Sequence, residues 1–470
     1  MQVRLAIIDE DSAEPCDVDS ALYTEEAEDS THVDSQTQRL VSRDALVCEP
    51  DDLYEYTHGL DVVGIMRVSH ALIVVYLGCS IVTFYSSAYS GAGSALDSVV
   101  IMSDVVCVDI ISAFFVVSGV ISASLYRNTH KDEHRALLRE MFLGLMIDMY
   151  LATLCSLLLG SVYAIVMHRF KFSDVWYTVV ECLTTMRTFD YQQSPAAPHS
   201  MNVAAWPLQS LVWCLFSTKN VYMLNDVIAR KFPHISCFLI TIMSTTGIIL
   251  FTMFGMLHNN SNIFYANACS VTYRSMEFNL GVHILYSQEH NSNFTAAVRD
   301  VVSKSRNVIY LVFLSIWWSE VGTQIPTHTE QTTCLRLYFR SHCLRDHHAF
   351  LLRGCLLAVV LVCESIEHTP TYKSLVFMQM RVTAQLYSAV AFCWPLCMAV
   401  KLILDVTFDE SIVNPNRAVV SMLTLAILSL FVLFYNEMLR PVVVRHVEPV
   451  VQFIYPRVEF GEDCLLGSRA

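Results

Sequence analysis

The chain has 470 residues, of which 54% are hydrophobic and 16% are charged, and its mean hydropathy is +0.44. A soluble domain carries about 25% charged residues, so this composition excludes an ordinary soluble protein and predicts an integral membrane protein. The net charge of −14 comes mostly from residues 1–59, which hold sixteen Asp or Glu and three Arg. The rest of the chain carries no basic stripe, which argues against a nucleic-acid partner.

Residues 1–59 predict an acidic, disordered, cytosolic tail. They are rich in Asp, Glu, Ser and Thr and show no apolar periodicity. They also lack the basic start and the 7–15-residue apolar core of a secretory signal, so the first span is expected to target the chain to the membrane.

Residues 60–441 predict one all-α domain, a polytopic membrane helix bundle of about ten transmembrane helices. A span needs about 20 apolar residues. The candidate spans are residues 60–86, 99–126, 141–167, 203–224, 234–257, 276–287, 307–319, 348–366, 383–406 and 417–439.

Basic residues predict the orientation of the spans. The loop that holds Arg127, Lys131, Arg135 and Arg139 is expected in the cytosol, which places both the tail and the short C-terminal segment 442–470 there as well. If residues 276–287 did not cross, the basic loop 321–347 would be cytosolic and the C-terminus outside. The arginines of the C-terminal segment favour ten spans.

Ionisable side chains within spans are costly and usually functional. Arg67 and His70 lie three residues apart on the first span and share one face, so we expect them to point into the bundle or a water-filled cavity. Alternatively, Arg67 reaches back to the cytosolic surface. Asp109 in the second span is the best partner for Arg67, whereas Asp148 and Glu437 are lone acids that could equally be structural.

Arg274 and Glu277 form a second pair at (i, i+3), at the head of the short sixth span. The pair could be a local salt bridge and nothing more. The sixteen cysteines include no C-x-x-C pair and lie mostly in apolar runs, which favours packing. Spacing typical of a metal site is absent from the sequence, so no metal and no bound cofactor are expected.

Several short motifs occur in the order of a known family. Residues 60–61 (Leu-Asp) precede Arg67 and an apolar run, and residues 114–119 read Phe-Phe-Val-Val-Ser-Gly. Residues 274–281 read Arg-Ser-Met-Glu-Phe-Asn-Leu-Gly, and residues 437–441 read Glu-Met-Leu-Arg-Pro. This series resembles the acyltransferase 3 family of integral membrane O-acyltransferases, and Arg274-x-x-Glu277-Phe278-x-x-Gly281 is the sharpest match.

The resemblance implies transfer of an acyl group from a thioester donor such as acyl-CoA, as co-substrate, to a hydroxyl of a carbohydrate or lipid. Such a reaction needs a base and a cation, and the candidate catalytic residues here are His70, Arg67 and Asp109, with His70 standing in for the family's histidine. His70 would be the general base and Arg67 the cation that stabilises negative charge. Substrate-binding roles would fall to Arg274 and Glu277. Arg135 and Arg139 would attract the donor phosphates from the cytosol.

Three positions depart from the family pattern. The family's histidine, eleven residues after the first-span Arg, is replaced by Gly78. The family's Asp before Phe-Phe falls at Ser112, and residues 206–211 (Trp-Pro-Leu-Gln-Ser-Leu) lack the family's Glu. These departures motivate the alternative, a catalytically inactive relative that acts as a transporter, channel or membrane scaffold, with buried charges lining a pathway or joining helices.

Overall fold

The computed structural model describes residues 53–54, 61–88, 95–128, 131–166, 205–232, 271–290, 292–322, 347–364, 371–408, 413 and 416–446. Their helices are α1 (Val62–Ala88), α2 (Ala95–Asn128), α3 (Lys131–Val166), α4 (Trp206–Lys231), α5 (Val271–His290), α6 (Ser292–Gly322), α7 (His347–Glu364), α8 (Lys373–Thr407) and α9 (Arg417–Phe434). A π-helical turn, Tyr435–Leu439, follows α9, and the helix then resumes to residue 446.

Five of the described helices are long and apolar enough to cross a membrane. The qualifying segments are Val62–Tyr85, Asp109–Tyr126, Gly144–Val162, Met378–Thr407 and Ala418–His446. The prediction of an all-α, multi-pass membrane protein is confirmed at this level. The number of ten stays a prediction, and the candidate span 234–257 lies outside the described residues.

The described helices contain most of each corresponding predicted span, but several are longer than predicted, and α6 differs most. Helices α3 and α8 each begin ten residues before the predicted span. Residues 307–319 were expected to form the seventh span, but α6 is much longer and begins at Ser292. Its first half carries exposed charges, including the pair Lys304–Asp300 one turn apart. Such (i, i+4) pairs support a helix without any apolar run, which is why hydropathy alone missed this half.

Helices α1 and α8 lie side by side and run in the same direction. His70 of α1 contacts Thr383 of α8, and fifteen residues further along α1 the Tyr85 hydroxyl donates to the carbonyl of Cys397. Residue numbers therefore increase together along both helices. Consecutive spans alternate in direction, so a first and a ninth span would also run in the same direction.

Helices α2 and α5 also run in parallel, and glycines let their backbones touch. Arg274 contacts Ser112, and one to two turns further on Gly281 packs against Val116 while Gly119 packs against the carbonyl of Phe278. A Cβ on either glycine would overlap a backbone carbonyl oxygen of the other helix. Small residues permit such close crossings between membrane helices.

The π-helical turn and the helix after it run antiparallel to α8 and α3. Asn436 lies next to Ser388 of α8, and a side chain on Gly144 of α3 would contact Arg440. The intervening π-helical turn adds a residue to one helical turn, a distortion that is frequent at functional sites.

A two-residue antiparallel β-pair joins distant parts of the chain. Leu53 and Tyr54, within the segment predicted as a disordered tail, pair with Tyr372 and Thr371 just before α8. The pair holds the chain before α1 and the start of α8 at the same face of the bundle. The other residues of the tail up to residue 60, and the C-terminal residues 447–470, lie outside the described residues.

Candidate functional site

A cavity lies between α1, α2, α3, α8 and the helix that follows the π-turn, and we call it the inner cavity. The space between these side chains, together with the open space at the mouth of the cavity, amounts to about 590 Å³. Part of its wall is apolar and consists of Met66, Ile121, Leu125, Leu145, Met380 and Ala384. The remaining wall is polar and consists of Ser118, Ser122, Asp148, Thr383, Tyr387 and Arg440.

Met66 is near the start of α1 and Leu125 is near the end of α2. The inner cavity therefore lies toward the face of the bundle where the loop between α2 and α3 is found, and that loop is predicted to be cytosolic.

His70 is buried on α1 and contacts Thr383 of α8, which lines the inner cavity. Its Nε2 lies 2.7 Å from Oγ1 of Thr383, and that hydroxyl lies 2.9 Å from the backbone carbonyl of Gln379. In the tautomer that carries the proton on Nε2, His70 donates to Thr383 and the hydroxyl of Thr383 donates to Gln379. The lone pair of the neutral imidazole then lies on Nδ1.

Asp148 forms a buried polar network at the other side of the inner cavity. The Tyr435 hydroxyl donates to Oδ1 at 2.8 Å, and the Ser388 hydroxyl donates to Oδ2 at 2.7 Å. Arg440 completes the network as an ion pair, with Nε 3.2 Å from Oδ1. Since a buried carboxylate needs a partner and hydrogen bonds, these contacts explain how Asp148 is accommodated.

Arg440 was not among the predicted site residues. Its number places it within the closing motif at 437–441, but the helix was expected to end at residue 439. The signal that could have found it is the presence of a lone acid, Asp148, in another span, because a buried charge in a membrane protein calls for an opposite one.

Arg274 and Glu277 form a sealed centre, away from the inner cavity. Their side chains are 1% and 0% exposed, and Arg274 Nη1 lies 2.5 Å from Glu277 Oε2 and 3.0 Å from Ser112 Oγ. The guanidinium also stacks over the rings of Phe115, Trp206 and Tyr273 at 5.2–5.5 Å. These aromatic and ionic contacts join α2, α4 and α5.

The motifs that carry the family resemblance therefore meet in space. Phe115 belongs to the Phe-Phe-Val-Val-Ser-Gly run, Trp206 opens the Trp-Pro-Leu segment, and Arg274 opens the Arg-x-x-Glu-Phe-x-x-Gly run. Gly119 and Gly281, which end two of these runs, are in contact. The meeting point is a packed helix crossing, and its buried pair is the local salt bridge that the sequence allowed.

Arg67 and Asp109 are not brought together. Arg67 is exposed, in contrast to the expectation that it points into the bundle, and this agrees with the alternative of a side chain that reaches toward the membrane surface. Asp109 is fully buried and accepts a hydrogen bond from Trp317 Nε1 at 2.8 Å. Spacing on a helix established that Arg67 and His70 are neighbours, but not which of them faces inward.

The remaining predicted site residues lie near the start of α3. Arg135 and Arg139 fall within its first turns, and their side chains lie outside the described part of the structure. Among the described residues, no group of three or more His, Cys, Asp or Glu side chains could hold a metal ion. At Gly78, where the family has histidine, an added Cβ would meet no atom within 4 Å.

Comparison of the chain with protein-family models, curated proteins and solved structures gives no match.

Proposed function

We propose that the protein is a membrane-bound acyltransferase that moves an acyl group from a thioester such as acyl-CoA to a hydroxyl of a carbohydrate or lipid. The observation that carries this proposal is the position of His70, which is buried on α1 and bonded to Thr383 in the wall of the inner cavity. A general base next to an apolar cavity in a membrane is the minimum that acyl transfer to a hydroxyl requires.

We infer that His70 acts in the tautomer that carries its proton on Nε2. Nε2 then donates to Thr383, which positions the ring, and Nδ1 is the base that takes the proton of the acceptor hydroxyl as its oxygen attacks the acyl carbon. The apolar wall of the inner cavity would border the acyl chain and keep water from the acyl group.

The predicted cytosolic side of the bundle suits the donor. The inner cavity lies toward the face where α2 is followed by the basic loop, and acyl-CoA is a cytosolic, anionic molecule. Arg135 and Arg139 at the start of α3 would raise its local concentration through their positive charge.

The experiment is to measure release of free CoA thiol from octanoyl-CoA and from acetyl-CoA, with membrane carbohydrates or lipids as acceptors, by the full-length protein in lipid nanodiscs. We expect His70→Ala to lower turnover at least about a hundredfold, in line with the usual contribution of general-base catalysis. Gly78→Ala, on the same helix and free of close neighbours, should leave turnover unchanged. Equal turnover of wild type and His70→Ala would exclude His70 as the base.

A second candidate function is a non-catalytic transporter, channel or scaffold. The observation that favours it is the sealing of Arg274 and Glu277, two residues that the resemblance associates with substrate, inside a helix crossing. Gly78 adds to this, because the family's histidine is missing at a position where an added Cβ meets no neighbour. Solute uptake into proteoliposomes together with absence of CoA release would favour this candidate. A gain of CoA release in Gly78→His would instead indicate a lost catalytic position.

A further inference from the structure

Arg440 is a buried cation with few hydrogen-bond partners among the described residues. It is 4% exposed and lines the inner cavity. Of the five N–H donors of a guanidinium, one has a hydrogen bond to a described residue, from Nη1 to Asn436 Oδ1 at 3.4 Å. The Nε atom is close to Asp148, yet its N–H is not aligned for a hydrogen bond with any described residue.

Unused donors on a buried charge cost free energy, unless a ligand supplies the acceptor. We propose that Arg440 binds the acyl carbonyl oxygen of a substrate in the inner cavity and stabilises the negative charge that develops there. This inference rests on the proposed function and assigns to Arg440 the cationic role that the sequence suggested for Arg67.

The charges around Arg440 select a neutral acyl group. Asp148 already provides the counter-charge to Arg440, so the ion pair is neutral as a whole. A free carboxylate would bring a second negative charge next to Asp148 in a poorly solvated site, which is unfavourable. A thioester or ester carbonyl accepts a hydrogen bond without adding charge. The ligand class is therefore an uncharged acyl ester or thioester with an aliphatic chain.

His70 and Arg440 supply the proton acceptor and the cation that the acyl transfer needs. The oxygen of the acceptor hydroxyl bonds to the carbonyl carbon, its proton moves to Nδ1 of His70, and the carbonyl π pair moves to the oxygen that Arg440 holds. The resulting tetrahedral intermediate collapses as the C–S bond breaks. The sulfur leaves with that electron pair and takes the proton from His70, which releases free thiol and ester.

Three groups position the guanidinium. Tyr435 and Ser388 hold the carboxylate of Asp148, which in turn holds Arg440. Gly144 of α3 leaves space for the guanidinium, since a Cβ there would lie 2.5 Å from Nη2. Gly144→Ala therefore displaces the end of Arg440 while every charge is kept, and this makes it a selective probe.

The test uses the full-length protein in nanodiscs and an octanoate methyl ester with a terminal diazirine as photoprobe. Methyl octanoate and octyl methyl ether compete with the probe for labelling of the α8 segment Lys373–Thr407. The ether has the same chain and lacks the carbonyl. We expect the ester to compete about tenfold better in the wild type, as one charge-assisted hydrogen bond predicts.

Two variants test whether Arg440 causes the preference for methyl octanoate over octyl methyl ether. Gly144→Ala should reduce the preference to within about twofold, and the double variant D148N/R440Q, which removes both charges and leaves neither unpaired, should abolish it. Gly78→Ala serves as the control and should keep it. Octanoate should compete more weakly than its ester in the wild type.

Absence of an ester preference in the wild type overturns the proposal, and so does full preference in both Gly144→Ala and D148N/R440Q. The outcome is separable from that of the proposed function. If wild type and His70→Ala release CoA equally while the ester preference depends on Arg440, acyl transfer fails and the carbonyl site stands.

Discussion

Two buried ion pairs in this protein have the same chemistry and opposite surroundings. Arg274–Glu277 lies at a crossing where glycines bring two backbones into contact and three aromatic rings cover the guanidinium. Arg440–Asp148 borders the inner cavity, which Arg440 and Asp148 both line. The first pair is enclosed and joins helices, whereas the second lies at a cavity wall, where we propose that it binds a ligand.

The largest expected effect comes from breaking the sealed pair. Arg274→Leu leaves Glu277 buried without its cation and removes the stacking on three rings, so we expect a loss of about 3–5 kcal/mol in unfolding free energy. The measurement is thermal unfolding of detergent-solubilised protein. As a control, Lys304→Ala breaks the exposed pair Lys304–Asp300 and should change stability by less than about 1 kcal/mol. Similar melting of both variants would contradict a structural role for Arg274.

The next effect concerns the glycine crossing. Gly119→Ala places a methyl group on the carbonyl oxygen of Phe278, so α2 and α5 must move apart, at a cost of about 1–3 kcal/mol or more. Gly78→Ala meets no neighbour and, as an Ala within a helix, should be neutral or stabilising by up to about 1 kcal/mol. If Gly119→Ala and Gly78→Ala unfold at the same midpoint, the helices α2 and α5 do not cross as described.

A smaller effect is expected where His70 meets α8. Thr383→Val keeps the side-chain shape but removes the acceptor for Nε2 of His70, which should cost about 1–2 kcal/mol because a buried donor loses its partner. Thr383→Ser keeps the hydroxyl and should restore most of the stability. If Val and Ser variants unfold at the same temperature, the hydroxyl does not hold the ring.

The smallest effect is predicted at the surface. Arg381 of α8 pairs with Glu437 of the π-helical turn, and both side chains are about half exposed. Such a pair contributes about 0–1 kcal/mol, so Arg381→Gln should hardly shift the unfolding temperature. Added salt should not lower the unfolding temperature of this variant any more, because the pair that salt screens is already gone. If Arg381→Gln lowers stability as much as Arg274→Leu does, the exposure of an ion pair does not determine its contribution to the stability of this bundle.

Much of the fold follows from hydropathy, because a span must be apolar over its length. The first span was expected at residues 60–86, and α1 covers Val62–Ala88. Hydropathy does not predict charged helical sections such as the first half of α6. The meeting of Arg274 with Phe115 and Trp206 could not be derived either, since periodicity describes the face of one helix and not its neighbour.

The same reason explains what was missed at the site. His70 was identified because a histidine within a span is conspicuous, and it is buried and contacts Thr383, a residue of the inner cavity wall. Arg67, one turn earlier on α1, was assigned to the interior and is exposed. Asp148 and Arg440 are far apart in the sequence, and their pairing depends on how α3 packs against the end of the chain.

The central claim is that the inner cavity carries out acyl transfer while the sealed pair only stabilises the bundle. The most direct measurement compares CoA release per folded molecule and unfolding temperature in two double variants, D148N/R440Q and R274Q/E277Q. We predict that D148N/R440Q keeps its unfolding temperature and loses at least about tenfold in turnover, whereas R274Q/E277Q unfolds earlier and keeps turnover within about twofold. Unchanged turnover in D148N/R440Q, or its loss only in R274Q/E277Q, would contradict the account.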